Sequence, residues 1–175
     1  MGLAAIGVLL VSASTTKPNT ARLTSQEVQI ISGRASVSDG DSLRIGAARI
    51  RLHGLDAVEG RQTCKYKGET WACGRASRKA LERAVNGETV ACEVRDMDRY
   101  KRHVAICRVN GEDINAAMVR DGWAVAYTRY SKDYMSEEAD ARAARRGIWR
   151  ATFERPEHYR ARLRNMSATP GDPSV

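Results

Sequence analysis

Apolar residues recur at two periods along this chain, and the change of period divides it. In the first half they form short strand-like runs. Val28 to Val37 is rich in β-branched residues and is closed by the turn residues Asp39-Gly40-Asp41. Ser42 to Ile45 and Ala48 to Leu55 flank Gly46-Ala47, the pattern of a tight hairpin. Trp71 to Val85 then shows apolar spacing near 3.6 and stops at Asn86-Gly87, which predicts a helix. Thr89 to Val94 and His103 to Val109 predict two more strands, and Asn110-Gly111 a turn. The second half is helical. Ile114 to Arg120 places Ile114, Ala117 and Met118 on one face and stops at Asp121-Gly122. Ser136 to Arg146 carries Glu137 and Glu138 in its first turn and Arg145 and Arg146 in its last, an order that suits the helix dipole, with Gly147 as the stop. Pro156 opens a last helix to about Asn165, since proline fits a first helical turn.

Five strands with a helix between the third and fourth, followed by helices, is the element order of an OB-fold. The expected class is α+β: a five-stranded OB-fold β-barrel with about three packed helices and a C-terminal helix. The length of 175 residues fits one domain with short appendages, and no repeat of 20–50 residues is visible. No apolar run reaches the roughly 18 residues that span a bilayer, so a chain crossing the membrane by helices is excluded. Charged residues make up 29% but interleave with apolar runs, which excludes a wholly disordered chain. The formal charge of +8 favours polyanions, either nucleic acid or an anionic membrane face. The OB-fold reading agrees with the first.

The ends divide off. Residues 1–26 read as a signal peptide and linker, 27–165 as the domain, and 166–175 as a flexible tail. Gly2 to Val11 is apolar at the length of a signal-peptide core, and Val11 and Ala13 supply small residues before a cleavage point, although no Lys or Arg precedes the run. Ser12 to Gln26 is polar and reads as a linker. The four cysteines contain no CxxC pair, which speaks against structural zinc, and they allow three pairings. Cys92 and Cys107 lie in two strand-like runs joined by a turn, so they are expected to face each other, leaving Cys64 with Cys73. Two disulfides imply an oxidising compartment, and the expected location is secreted or periplasmic.

Three segments concentrate chemistry: Asp39-Gly40-Asp41-Ser42, Arg51 to Glu59, and Asp98-Arg99-Tyr100-Lys101-Arg102. A phosphodiesterase needs carboxylates for a hard cation, a base for water, and cations facing the phosphorus. Asp41 and Asp56 suit the metal, Glu59 the base, and Arg51 and Arg102 the phosphate, because a guanidinium pairs two phosphate oxygens and stays protonated. Arg51 falls in an apolar strand, where an unpaired charge is costly. Asp56 and Glu59 follow on one loop at its end.

With Asn115, Val119 to Ala124 and Gly147-Ile148-Trp149 following in order, these segments resemble the staphylococcal nuclease (thermonuclease-like) family from roughly Val28 to Arg160. The resemblance implies an OB barrel with three packed helices that hydrolyses DNA and RNA with Ca²⁺. It implies Ca²⁺ held by the carboxylates of Asp41 and Asp56 and the main-chain carbonyl of Ala57. Glu59 would act as general base, Arg51 and Arg102 would stabilise the phosphorane, and the products would carry 3′-phosphates. Tyr100 matches a tyrosine that lies against the base, and Tyr127 one that contacts the terminal phosphate. Single-stranded DNA and RNA are the implied substrates of a monomer without stable membrane association.

Three departures from the family pattern bear on rate. Val58 stands where the family has proline, which is expected to loosen the loop carrying Asp56 and Glu59. Lys101 stands where it has glycine, a strained position if φ is positive there. The hairpin between Asp41 and Arg51 is shorter. His53 and His103 read as structural, and the arginines of the C-terminal region, Arg160 among them, as a solvated helical face. Trp123, Trp149 and Phe153 read as packing residues. A non-catalytic OB-fold module that binds nucleic acid is the alternative to the enzyme.

Overall fold

The structure is a computed structural model and describes residues 28–168; the expected signal peptide and linker and the last residues of the tail lie outside them. The chain runs β1 (Ile30–Asp39), β2 (Ser42–Ile45), β3 (Ala48–Leu52), β4 (Leu55–Ala57), β5 (Cys64–Tyr66), β6 (Glu69–Trp71), α1 (Cys73–Val85), β7 (Thr89–Met97), β8 (His103–Val109), β9 (Glu112–Asp113), α2 (Ile114–Arg120), β10 (Ala124–Ala126), α3 (Met135–Ala143), a 3-10 turn (Gly147–Arg150) and α4 (Pro156–Ala168).

The main sheet has the order β3-β2-β1-β7-β8-β9, and a parallel pairing of β3 with β8 closes it. The five long strands β1, β2, β3, β7 and β8 therefore form a closed barrel, the OB-fold the sequence predicts. Closure leaves no free edge among them and pins both sides of β3, which pairs with β2 at Ser42↔Arg51 and with β8 at Arg51↔Val104. Leu43, Ile50, Leu52, Val90 and Cys107 fill the interior, with Leu81 of α1 and Val119 of α2 closing it.

Several boundaries differ from the sequence reading, each for a local reason. The run Ala48 to Leu55 is two strands. Gly54 takes φ +74 and turns the chain, so Leu55–Ala57 leaves the barrel and pairs with β10 instead. The first helix starts at Cys73, because Trp71 belongs to the β5–β6 hairpin, which the sequence reading did not assign. The third helix ends at Ala143, short of Arg146, because Arg145 adopts φ +50. The last helix runs to Ala168.

Both expected disulfides are present, Cys64–Cys73 and Cys92–Cys107, and the cysteines of the second oppose each other across β7 and β8. Two such bonds fit an oxidising compartment. Among the described residues no helix is long and apolar enough to cross a membrane. A second, smaller core joins Val58, Cys64, Cys73, Val125 and Ile148, with Trp71, Trp149 and Phe153 packed against it. It ties the loop after β4 to the 3-10 turn and to the segment leading into α4.

Candidate active site

The turn Asp39-Gly40-Asp41 joins β1 to β2 at one rim of the barrel. A Cβ at position 40 would overlap the Ser77 hydroxyl of α1 and lie 2.8 Å from the Ala57 Cβ, so only glycine lets the turn sit against both elements. Asp41 is thereby buried. Its Oδ2 accepts from Arg51 Nη1 at 2.8 Å and from the Ala57 N–H at 3.3 Å, and its Oδ1 accepts from Ser42 Oγ at 2.8 Å.

Arg51 projects from β3 between two carboxylates. Its Nη2 donates to Asp56 Oδ1 at 2.8 Å and to the Leu55 carbonyl at 3.4 Å. Burial opposes its charge, but Asp41 and Asp56 outweigh burial and hold its pKa above the ordinary arginine value. The apolar strand tolerates this arginine because both of its partners are within reach.

Asp56 sits in β4 directly across from Val125, and its side chain is fully buried. Glu59 follows two residues beyond the strand. Two anchors fix its loop. Val58 is completely buried in the smaller core. Gln62, also buried, accepts from the Glu59 N–H at 3.1 Å and donates to the Glu154 carbonyl at 2.6 Å. The loosening expected from the absence of proline is thus offset by packing and by this glutamine bridge.

Arg160 of α4 completes the cluster. Its Nη2 donates to Asp56 Oδ2 at 2.7 Å, and its Nη1 to Asp56 Oδ1 at 3.0 Å and to Glu59 Oε1 at 2.7 Å. Burial opposes its charge too, and the bonds to Asp56 and Glu59 reverse that and raise its pKa. The sequence reading placed Arg160 on a solvated helical face, and the structure corrects it. Its neighbours in sequence give no local signal, since the carboxylates it meets lie about a hundred residues away. Asp39, read only as a turn residue, also belongs here. Burial first, then the charges of Asp41 and Glu59, push its carboxyl above the ordinary value despite a bond from the Gly40 N–H.

Arg102 approaches from the β7–β8 turn. Asp98 Oδ2 accepts from its Nε and its Nη2, both at 2.7 Å, and Asp98 Oδ1 accepts from its N–H at 2.9 Å. Partial burial raises the Asp98 pKa, but these bonds lower it further, leaving it below the ordinary value. Arg102 Nη1 is left facing Ser42 Oγ at 3.5 Å, next to Asp41. Lys101 does take positive φ, +58, yet Asp98 keeps Arg102 aimed at the site.

Tyr100 is exposed, with the Arg102 and Arg99 guanidinium groups 5.5 and 4.9 Å from its ring centre. Tyr127 lies past the end of β10. Its N–H donates to the Gly54 carbonyl and its ring packs 4.9 Å from that of Tyr130. The structure thus joins Asp41, Arg51, Asp56 and Ala57 directly, links Glu59 to Asp56 through Arg160 and brings Arg102 beside them through Ser42, while Tyr127 stands two residues beyond the partner of Asp56.

Asn115 is structural. Buried, it accepts from the Cys107 N–H and donates to the His53 and Ala105 carbonyls, which holds α2 to the barrel. His53 pairs with Asp133 at 3.0 Å.

The donor set at the site is all oxygen, which suits a hard divalent cation of flexible geometry. Among the described residues no three His, Cys, Asp or Glu side chains converge as a ready metal cluster. Here arginines bridge the carboxylates instead. Asp39, Asp41, Asp56 and Glu59 set against Arg51 and Arg160 leave a formal excess of two negative charges, which a divalent cation would neutralise.

A closed five-stranded barrel whose rim gathers carboxylates and arginines in this order defines a class. The family described as staphylococcal nuclease homologue matches residues 49–151. The chain belongs to that family. It is 37% identical over 132 residues to the succinoglycan biosynthesis protein ExoI of Rhizobium meliloti, covering 73% of this chain and 68% of that one. It is 32% identical to an uncharacterised endonuclease of Haemophilus influenzae, covering 65% of this chain and 62% of the relative. A probable staphylococcal-like nuclease of rice, CAN3, is 32% identical over 67% of this chain and 29% of its own length. The chain therefore spans less than two thirds of the latter two.

Proposed function

We propose that the protein is a Ca²⁺-dependent phosphodiesterase that hydrolyses single-stranded DNA and RNA and leaves 3′-phosphate ends. The observation that carries this reading is the convergence of Asp41 and Asp56 on Arg51, and of Asp56 and Glu59 on Arg160, at one rim of the barrel. The nuclease names of the Haemophilus and rice relatives support it. Asp41, Asp56 and the Ala57 carbonyl hold the cation, which when bound offsets negative charge on the scissile phosphate.

Glu59 takes the proton from the attacking water; its carboxylate is partly exposed and linked to the buried Asp56 through Arg160. Arg51 is held rigid by two strands, so it meets the phosphorane with no reorganisation of the backbone. Arg102 presents Nη1 beside Ser42, braced by Asp98. The bond to the 5′ oxygen breaks, and arginine charge favours its departure. Tyr100, exposed beside Arg102, offers a face on which a base can stack. Tyr127 is proposed as a contact to a terminal phosphate, and the protein as an exported monomer.

The test is digestion of end-labelled single-stranded DNA and RNA by the whole chain with CaCl₂, with EDTA, and by the Glu59→Ala protein. Cutting is expected only with Ca²⁺ and intact Glu59, and the substitution should lower the rate roughly 10²–10⁴-fold. Nucleic acid that is bound but left uncut with Ca²⁺ would overturn the enzyme and leave the binding module.

A further inference from the structure

Asp56 is fully buried, and Arg160 is the group that covers it. Asp56 Oδ1 already accepts from Arg51 and Arg160, and Oδ2 accepts from Arg160. The Arg160 side chain is 30% exposed, so its outer edge meets solvent while its inner edge lies on the carboxylate. A cation approaching Asp56 from solvent meets the guanidinium first. Two positive charges cannot share these oxygens at contact distance without strong repulsion. Arg160 also holds Glu59 Oε1, so one side chain occupies a carboxylate assigned to the metal and the one assigned as base.

The element that carries Arg160 is anchored at its start, where Arg162 also pairs with Glu154, and is exposed further on. α4 lies beyond the residues that the family description matches, which end at 151. Its first residue, Pro156, is buried, and the preceding segment is fastened by Gln62 to the Glu154 carbonyl. From Arg162 to Ser167 the helix is exposed. The start of α4 is thus a fixed pivot, and Arg160 is a tie from the helix proper to the site.

We infer that Arg160 is a built-in counter-ion of the active site: it occupies Asp56 and Glu59 in the cation-free protein, and a divalent cation must displace it to bind. This rests on the reading of Asp41 and Asp56 as cation ligands. The C-terminal helix then acts as a latch that keeps the acidic groups neutralised until Ca²⁺ arrives, and entry of the cation frees the base in the same movement.

The experiment is calorimetric titration of CaCl₂ into the wild-type chain and the Arg160→Gln, Arg160→Lys and Arg164→Gln proteins. Arg164 is exposed on the same helix, so its substitution removes the same charge without uncovering Asp56. Arg160→Gln should bind Ca²⁺ at least tenfold more tightly than wild type, and Arg164→Gln within about twofold of it. Arg160→Lys, which keeps the charge but not the fork that spans both carboxylates, should fall between, and it carries the test if the glutamine protein does not fold. In the wild type the Arg160 Nε–Hε NMR signal should shift as CaCl₂ is added. Equal or weaker Ca²⁺ binding by both Arg160 proteins, with wild type binding, overturns the latch alone. Absence of Ca²⁺ binding in every protein overturns the cation reading, and the latch with it.

Discussion

The α-carbon of Gly74, in the first turn of α1, lies so close to the Glu59 carbonyl that a Cβ added at position 74 would overlap it. The helix start and the loop of the proposed base are thus packed backbone against backbone, and the Gly74 N–H donates to the Gln62 carbonyl in that loop. Gly74→Ala must push the loop or the helix aside, because a carbonyl cannot rotate away as a side chain can. The substitution should destabilise the fold by about 1–3 kcal/mol, read by thermal unfolding, and lower nuclease rate beyond what the lost stability explains.

The Cys64–Cys73 bond closes a loop with a separation of 9 residues around the β5–β6 hairpin, and Cys92–Cys107 one of 15. A cross-link acts largely by limiting the unfolded chain, and its effect grows slowly with loop length. Replacing both cysteines of either pair by serine should cost about 2–3 kcal/mol, with the Cys92–Cys107 pair at the upper end. Denaturant titration of the two double variants measures this. Equal stability of the oxidised and reduced wild type would contradict it.

Asp98 holds Arg102 only while it is ionised, and its pKa lies below the ordinary 3.8. Its contribution to stability is therefore full at pH values above 3.8 and is lost as pH falls through the lower folded value. The melting temperature of Asp98→Asn should fall less steeply than that of wild type across that acid window. At neutral pH the same variant should lose rate through misdirected Arg102, a loss that shows in kcat more than in KM. A parallel decline of the two melting curves would refute the coupling.

Lys101 adopts φ +58, a region that costs a non-glycine residue about 1 kcal/mol. Lys101→Gly should raise stability by up to about that amount, less the entropy that glycine adds to the unfolded chain. Activity should stay near wild type, since Arg102 is held by Asp98 rather than by the lysine. Chemical denaturation of the two proteins decides it.

Much of this protein was legible along the chain because the relevant signals are local. Period-two runs, the turn residues Asp39-Gly40-Asp41 and Asn110-Gly111, and the stops after α1 and α2 mark elements by steric preferences that act within a few residues. Arg51, Asp56 and Glu59 lie so near one another in sequence that a strand and its following loop must bring them together. The cysteine pairing was legible for the same reason, as Cys92 and Cys107 belong to neighbouring strands.

The chain alone did not show where the barrel strand gives way to β4, because Leu52 and Leu55 are equally apolar, and the positive φ of Gly54 and the pairing of β4 with β10 separate them only in the fold. It did not mark Gln62, whose value lies in reaching both the Glu59 N–H and the Glu154 carbonyl. Nor did it mark Arg160, one of several arginines in a basic helix until α4 docks on β4. The sequence determined the long barrel strands, their turns and the placing of Arg51, Asp56 and Glu59 on β3, β4 and the loop that follows, since those follow from dihedral preference and short-range spacing. Tertiary structure alone decided that Arg160 covers Asp56, because a charge finds its partner across about a hundred residues only when packing fixes the distance.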